Sequence, residues 1–293
     1  MPEYPEMELY RVALERQLVD HTVQRAKLLH PFFLRSVGPR VDELAGRRII
    51  AVERLAKRTI FVLEPELYAV VHLMIVGRFR WRKTTAKDPG KRGMLRMDFE
   101  HGSLFVTEEG SKRRASLHLL QTRDELADHD RGGLEVHDID LPTFTARLQS
   151  ERHTLKRALA DPKLFSAIGN AWSDEILLEA QLSPFARTDQ LDAAAIERLF
   201  HTIRARLTEG RAALLEEWGD RFPEKVTAFH ASMRAHGRFG QPCVHCETPI
   251  QRIVYAENEC NYCPKCQTDG KVLKDRALSR LLKDDWPRSI DEL

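Results

Sequence analysis

Cysteine, net charge and long apolar runs are all in short supply in this chain of 293 residues. Lys and Arg number 46 against 44 Asp and Glu, so the +2 balance does not by itself announce a nucleic-acid partner, and any basic face has to be local. No apolar stretch approaches the length of a membrane span. The opening Met-Pro-Glu-Tyr-Pro-Glu lacks the basic and apolar regions of a signal peptide. A cytoplasmic protein with reduced thiols is therefore expected. No internal repeat divides the sequence. What is present is 42% apolar residues, enough for sizeable cores in a chain longer than one typical domain, so two or three domains are expected.

Four of the five cysteines form a pattern: Cys243-Val-His-Cys246, sixteen residues, then Cys263-Pro-Lys-Cys266-Gln. Two Cys-x2-Cys knuckles around a short hairpin offer four soft thiolates at tetrahedral reach, the ligand set of one closed, structural Zn2+. Cys260 is left over. It could compete as a ligand, but its spacing fits less well, so it reads as a thiol of the hairpin. Between the knuckles, residues 248–258 alternate as a strand carrying Arg252 and run to a polar Glu257-Asn258 turn. A hairpin of this size has too little core to fold alone, so the metal has to supply its folding energy, leaving its tip free to touch a partner.

The N-terminus is a second chemical signal. Proline after the initiator Met is small enough for Met1 to be removed, leaving Pro2 as a secondary amine with a pKa near ~8. A neutral secondary amine attacks a sugar aldehyde carbon to give an iminium, which serves as an electron sink for eliminations along the sugar. Glu3 stands beside it, and a desolvated carboxylate there can deliver a proton to a ring oxygen. The plainer reading is structural, with Pro2 preceding a helix and Glu3 and Glu6 favouring its N-terminal dipole.

Several segments in order resemble one family. Met-Pro2-Glu3-Tyr-Pro5-Glu6-Met-Glu8 is similar to the start of the formamidopyrimidine-DNA glycosylase/endonuclease VIII family. Gly169-Asn170-Ala-Trp-Ser-Asp174-Glu175 resembles the turn of its helix-two-turn-helix module, and the four-cysteine close resembles its zinc finger. Lys57, leading into Thr-Ile-Phe-Val-Leu, resembles its catalytic lysine, and His72-Leu-Met-Ile75-Val-Gly77 a divergent copy of its gap-filling loop. The resemblance spans nearly the whole chain.

It implies a bifunctional DNA glycosylase/AP lyase acting on a flipped-out nucleotide of damaged, duplex DNA, with Pro2 as nucleophile, Glu3 as proton donor and Lys57 at the neighbouring phosphate. It also implies DNA contacts from Glu6, His72 and Ile75, from Lys112, Arg113 and Arg114, and from Lys156, Gly169 and Asn170. Arg252 and Asn258 would serve from the finger, with Cys243, Cys246, Cys263 and Cys266 on zinc. A monomer is expected, associated with the nucleoid when bound. The competing readings are a non-catalytic lesion-binding paralogue and a zinc-finger DNA-binding protein outside repair.

The expected fold is α+β. A helix over residues 3 to 20 precedes a β-sandwich-like half with strands at 49–52, 59–63, 69–75, 94–99 and 103–107, and residues 84–93 form a basic loop. Helical periodicity begins near Asp140, at 144–148, 155–159 and 194–199. The domains are then 1–132 (catalytic), 133–236 (helix-two-turn-helix), 237–270 (finger) and 271–293, a charged tail of uncertain order.

Three departures from the family pattern bear on specificity. Where the family commonly has Asp-Pro-Arg-Arg-Phe-Gly, this chain has Gly110-Ser-Lys112-Arg113-Arg114-Ala115, so Arg114 replaces the aromatic wedge. Its guanidinium plane can still stack on a base. Ile75 stands for a methionine. At the hairpin tip, Asn258 stands for an arginine that grips the lesion phosphates.

Overall fold

The computed structural model describes all residues except Ser111, Ala256, Glu257, 276–279, 282–286 and Leu293. The expected Glu257 turn and part of the 271–293 tail lie outside the described residues. The chain forms two compact units, Met1–Arg131 with Arg211–Ala228, and Gly132–Gly210 with Phe229–Leu293.

The first unit opens with α1 (Tyr4–Leu18). A capping box starts it: Glu3 N–H donates to Glu6 Oε2 at 2.8 Å, and Pro5 supplies a preset φ in the first turn. Eight strands follow, β1 (Arg25–Leu28), β2 (Arg48–Leu55), β3 (Arg58–Glu64), β4 (Leu67–His72), β5 (Gly77–Arg82), β6 (Gly93–Phe99), β7 (Gly102–Glu108) and β8 (Ser116–Leu120). They form two four-stranded antiparallel sheets ordered β1-β6-β7-β5 and β2-β3-β4-β8.

The period-two alternation of β3 assigns its two faces. Phe61 and Leu63 enter the main core with Val71, Leu117, Phe79, Leu104 and the α1 residues Tyr10, Leu14 and Leu18. Ile60 and Val62 face the other way, in a smaller cluster with Tyr68, Val70, Leu120 and Leu126. Each large apolar side chain buried this way contributes roughly 1.5–3 kcal/mol. The expected strand 69–75 ends early, at His72. Met74 adopts φ 55°, and Gly77 N–H bonds back to Leu73 O at 3.0 Å. A Cβ at Gly77 would lie 2.2 Å from that oxygen, so glycine closes the turn.

The second unit contains α2 (Leu141–Gln149), α3 (Leu155–Ala160), α4 (Asn170–Glu179) and the first part of α5 (Ala193–Trp218). After these come β9 (Gln251–Tyr255), β10 (Asn258–Tyr262) and α6 (Pro264–Thr268). Asp140 caps α2 by accepting from Thr143 N at 3.0 Å. Phe144 packs on Phe165 and Phe200, with ring centroids 5.1 and 5.3 Å away.

Two expected boundaries move. The last part of α5 and the chain to Ala228 belong to the first unit, because Leu214, Leu215, Trp218, Phe222 and Val226 pack in its core. The finger is not a separate body: Cys243, Ile250 and Cys263 share one apolar cluster with Leu178 of α4 and Ala235. The start of the tail is also ordered. Leu273 N–H donates to Tyr262 Oη at 2.8 Å, and the buried Asp275 accepts Val254 N–H at 2.8 Å. Val272 N bonds Arg288 O at 3.0 Å. A charged composition hides these few specific contacts.

No described helix is long and apolar enough to cross a membrane.

Candidate functional site

In the first unit the sequence-predicted catalytic residues gather where α1 begins. Pro2, Glu3 and Glu6 are buried. Glu6, expected to touch DNA, is 0% exposed and instead holds the Glu3 backbone, which makes it a positioning group. Lys57 lies in the β2–β3 turn, where Ala56 takes φ 52°. Burial pushes the Lys57 ammonium pKa down, and the Glu3 and Glu6 carboxylates oppose that shift. The α-amino group at Met1 also titrates below its usual range. Burial is the main cause, Arg78 and Lys57 add to it, and Glu3 and Glu6 act against it. Once Met1 is removed, the amine of the buried Pro2 would stand beside the same carboxylates and cations.

Surrounding groups fix these elements. Glu8 binds Arg54 at 2.9 Å and Arg11 at 3.1 Å, and the Arg54 guanidinium lies 4.9 Å from the Tyr4 ring centroid. His72 ends β4, and its pKa is pushed down to about 4, first by burial and then by the charges of Arg58 and Lys57. Ile75, 52% exposed, sits in the β4–β5 turn, where Arg78 holds Ile75 O at 3.2 Å. Sequence reasoning misses Arg78, although it follows the loop directly.

The loop after β7 presents Lys112 and Arg114 to solvent, whereas Arg113 is only partly exposed and donates to Lys91 O. The buried Glu108 anchors this loop by accepting from Arg114 N at 3.0 Å and Ala115 N at 3.2 Å.

In the second unit Gly169 caps α4, and Asn170 starts it. Asn170 Nδ2 donates to Glu259 O in β10 at 2.9 Å, so one hydrogen bond ties the turn to the hairpin. Lys156, expected as a phosphate ligand, is 4% exposed. Its ammonium donates to Asp174 Oδ1 and Asn170 O, both at 2.5 Å. Burial lowers the Lys156 pKa, but Asp174, Cys260 and Tyr255 together outweigh it and the net shift is upward.

Asp174 also accepts from His236 Nδ1 at 2.8 Å and Asn261 Nδ2 at 3.4 Å. Glu175, likewise buried, accepts three backbone N–H groups, from Arg234 at 2.8 Å, Ala235 at 2.7 Å and His236 at 2.9 Å. The Asp-Glu pair of the motif thus bolts α3, α4 and the hairpin together.

At the finger, Arg252 lies 4.6 Å from the Phe239 ring centroid, and Asn258 is exposed opposite Tyr255. The Sγ atoms of Cys243, Cys246, Cys263 and Cys266 all lie within 4.8 Å of one another, with neighbouring pairs at 3.4–3.9 Å. A disulfide needs about 2.05 Å between sulfurs. Four sulfurs about 2.3 Å from a tetrahedral zinc stand about 3.8 Å apart. The donor set therefore fits a metal ion. Cys260 is fully buried between Ile253 and Tyr262 and takes no part in the cluster.

Comparison with known proteins agrees with this architecture. Residues 1–116 match the formamidopyrimidine-DNA glycosylase N-terminal domain, and residues 134–214 match the H2TH domain of the same enzyme. A formamidopyrimidine-DNA glycosylase of Thermus thermophilus is 30% identical over 284 residues, covering 92% of this chain and 100% of that protein. One from Chloroflexus aggregans is 31% identical over 274 residues, covering 91% and 98%. The crystal structure of Lactococcus lactis Fpg with abasic-site DNA superposes with TM-score 0.80 at 25% identity, over 91% of this chain and 99% of that one. That of the same protein with Fapy-dG DNA gives TM-score 0.80 at 25% identity, over 91% and 100%. With both domain models matched in order and the full length of its relatives covered, the chain belongs to the formamidopyrimidine-DNA glycosylase/endonuclease VIII family.

Proposed function

We propose that this protein is a DNA glycosylase of base excision repair with AP-lyase activity, working on an extruded nucleotide of damaged duplex DNA. The observation that carries the reading is the burial of Pro2 and Glu3 at the start of α1, within electrostatic reach of Lys57.

With Met1 removed, the Pro2 nitrogen attacks C1′ and the C1′–base bond breaks. Glu3 protonates the ring oxygen as the sugar opens to an iminium. Loss of a C2′ proton then sends an electron pair towards the iminium, and the C3′–O bond breaks as the phosphate leaves. Water hydrolyses the product and frees Pro2.

Asn170 and the α4 N-terminus supply donors for a lesion-strand phosphate. Lys156 acts beneath them by fixing Asn170 O. Ile75 and Arg114, both exposed, fill the gap and stack beside the orphaned base. The four-cysteine cluster would hold one zinc, locking the hairpin that carries Arg252 and Asn258. Incubation with duplexes carrying a formamidopyrimidine, an oxidised pyrimidine or an abasic site, resolved on a denaturing gel, tests this. Strand scission at the modified position is expected, and an intact strand on every substrate would reject it.

A further inference from the structure

The outer face of the β2-β3-β4-β8 sheet changes character along its length. One part is apolar, with Ile60, Val62, Tyr68, Val70 and Leu120 packed under Leu126. Beyond it the same face turns basic. Thr59 pairs with Val71, so Arg58 stands opposite His72, and His118 pairs with Val70 in the adjoining row. The ring of His129, from the turn that covers the sheet, meets His118 edge-on with centroids 4.5 Å apart. Arg131 follows two residues later.

Charge here is poorly balanced. Arg58, Arg35 and His129 act on His118, and Arg58 and Arg131 act on His72 along with Lys57. The carboxylates in reach are Asp130, facing Arg58, and Asp128 and Glu125, facing His129. Glu125 is already engaged by Gln121 N and Thr122 N. At Arg58 the repulsion from Arg131 exceeds the attraction of Asp130. Burial first, and then neighbouring cations, hold His118 and Arg58 below their usual pKa values. Arg58 and Arg131, which repel one another in the free protein, are relieved by an anion, and the same anion favours the protonated form of the two imidazoles.

We infer that Arg58, His118, His129 and Arg131 form an additional phosphodiester subsite next to Lys57 and His72, gripping the DNA strand one step beyond the reacting nucleotide. The inference rests on DNA being the substrate. The two imidazoles give the grip a pH dependence: a bound phosphate raises their pKa, so binding takes up protons and tightens as pH falls. His72, at about 4, titrates below the range of interest.

The test is the dissociation constant for a duplex with a tetrahydrofuran abasic analogue, measured by fluorescence anisotropy against salt and pH. For Arg131→Gln, and for Arg58→Gln with Arg131→Gln, the slope of log affinity on log salt should flatten by about 0.9 for each phosphate no longer neutralised. Wild-type affinity should rise several-fold between about pH 7.5 and about pH 5.5, and the His118→Gln/His129→Gln protein should lose most of that rise. Arg131, which is exposed, and His129, on the covering turn, serve as single variants that leave the sheet intact, with thermal unfolding as the control. Folded variants that keep the wild-type salt slope and pH profile would overturn the subsite alone. Failure of the wild-type protein to bind the duplex would overturn the DNA reading beneath it.

Discussion

Asp174 is the residue whose loss is most informative about how the DNA-facing turn is built. Its carboxylate is 1% exposed and receives the Lys156 ammonium at 2.5 Å, His236 at 2.8 Å and Asn261 at 3.4 Å. Asp174→Asn keeps the shape and removes the charge, leaving a 4%-exposed ammonium with neutral acceptors in place of its counter-ion. Breaking one side of a buried pair costs about 3–5 kcal/mol, because the remaining charge stays desolvated. At about 2–4 °C per kcal/mol for a unit of this size, the melting temperature should fall by roughly 10 °C. Lys156→Met combined with Asp174→Asn removes both charges while keeping an acceptor for His236 and Asn261, and should regain most of the stability, since no buried charge is left unpaired. Urea denaturation of the single and double variants beside the wild type measures this. A destabilisation below about 1 kcal/mol for Asp174→Asn, or a double variant as unstable as the single one, would refute the reasoning that Lys156 is a buried charge held by Asp174.

Other outcomes follow from separate features. Cys243→Ser or Cys266→Ser should lose the metal and weaken DNA binding, while Cys260→Ser should keep one zinc per chain; metal analysis of the purified variants decides. Asn258 offers a neutral hydrogen bond where an arginine would make a charge-assisted one roughly twice as strong. The protein should therefore perform β-elimination readily and δ-elimination poorly, and Asn258→Arg should steepen the salt dependence of binding; a predominant 3′-phosphate end on a sequencing gel would contradict this. His72 titrates near 4 when folded against about 6.5 unfolded, so the unfolded chain binds more protons between these values. Its contribution is complete above about pH 6.5 and is lost as pH falls towards about 4, on the order of 3 kcal/mol. Between about pH 6.5 and about pH 4 the wild type should lose stability more steeply than His72→Gln, which has no imidazole to protonate; parallel unfolding free energies would contradict this.

What is legible in the sequence is what depends on local spacing. Two Cys-x2-Cys pairs place their sulfurs with little help from the rest of the chain, and Glu3 with Glu6 forms a capping box through a single helical turn. Strands β2, β3, β6 and β7 also carry clear apolar patterns. The Gly77–Arg82 strand is masked because arginine fills every second position, and Ser116–Leu120 because it is short. The burial of Lys156 cannot be read locally, since Asp174, His236 and Asn261 come together with it from distant parts of the chain. The division of α5 between two units is hidden for a similar reason: its apolar spacing continues from Ile196 to Leu214 with no break to mark the change of core.

The central claim is that an N-terminal amine does the chemistry, and borohydride trapping on abasic-site DNA tests it most directly. Reduction of the iminium fixes protein to sugar, and peptide mapping locates the bond. The account requires a covalent adduct at Pro2, its near-complete loss in Pro2→Gly or in protein that retains Met1, and DNA binding largely preserved in both. Full trapping by the Met1-retaining protein, or an adduct mapped to Lys57, would contradict it.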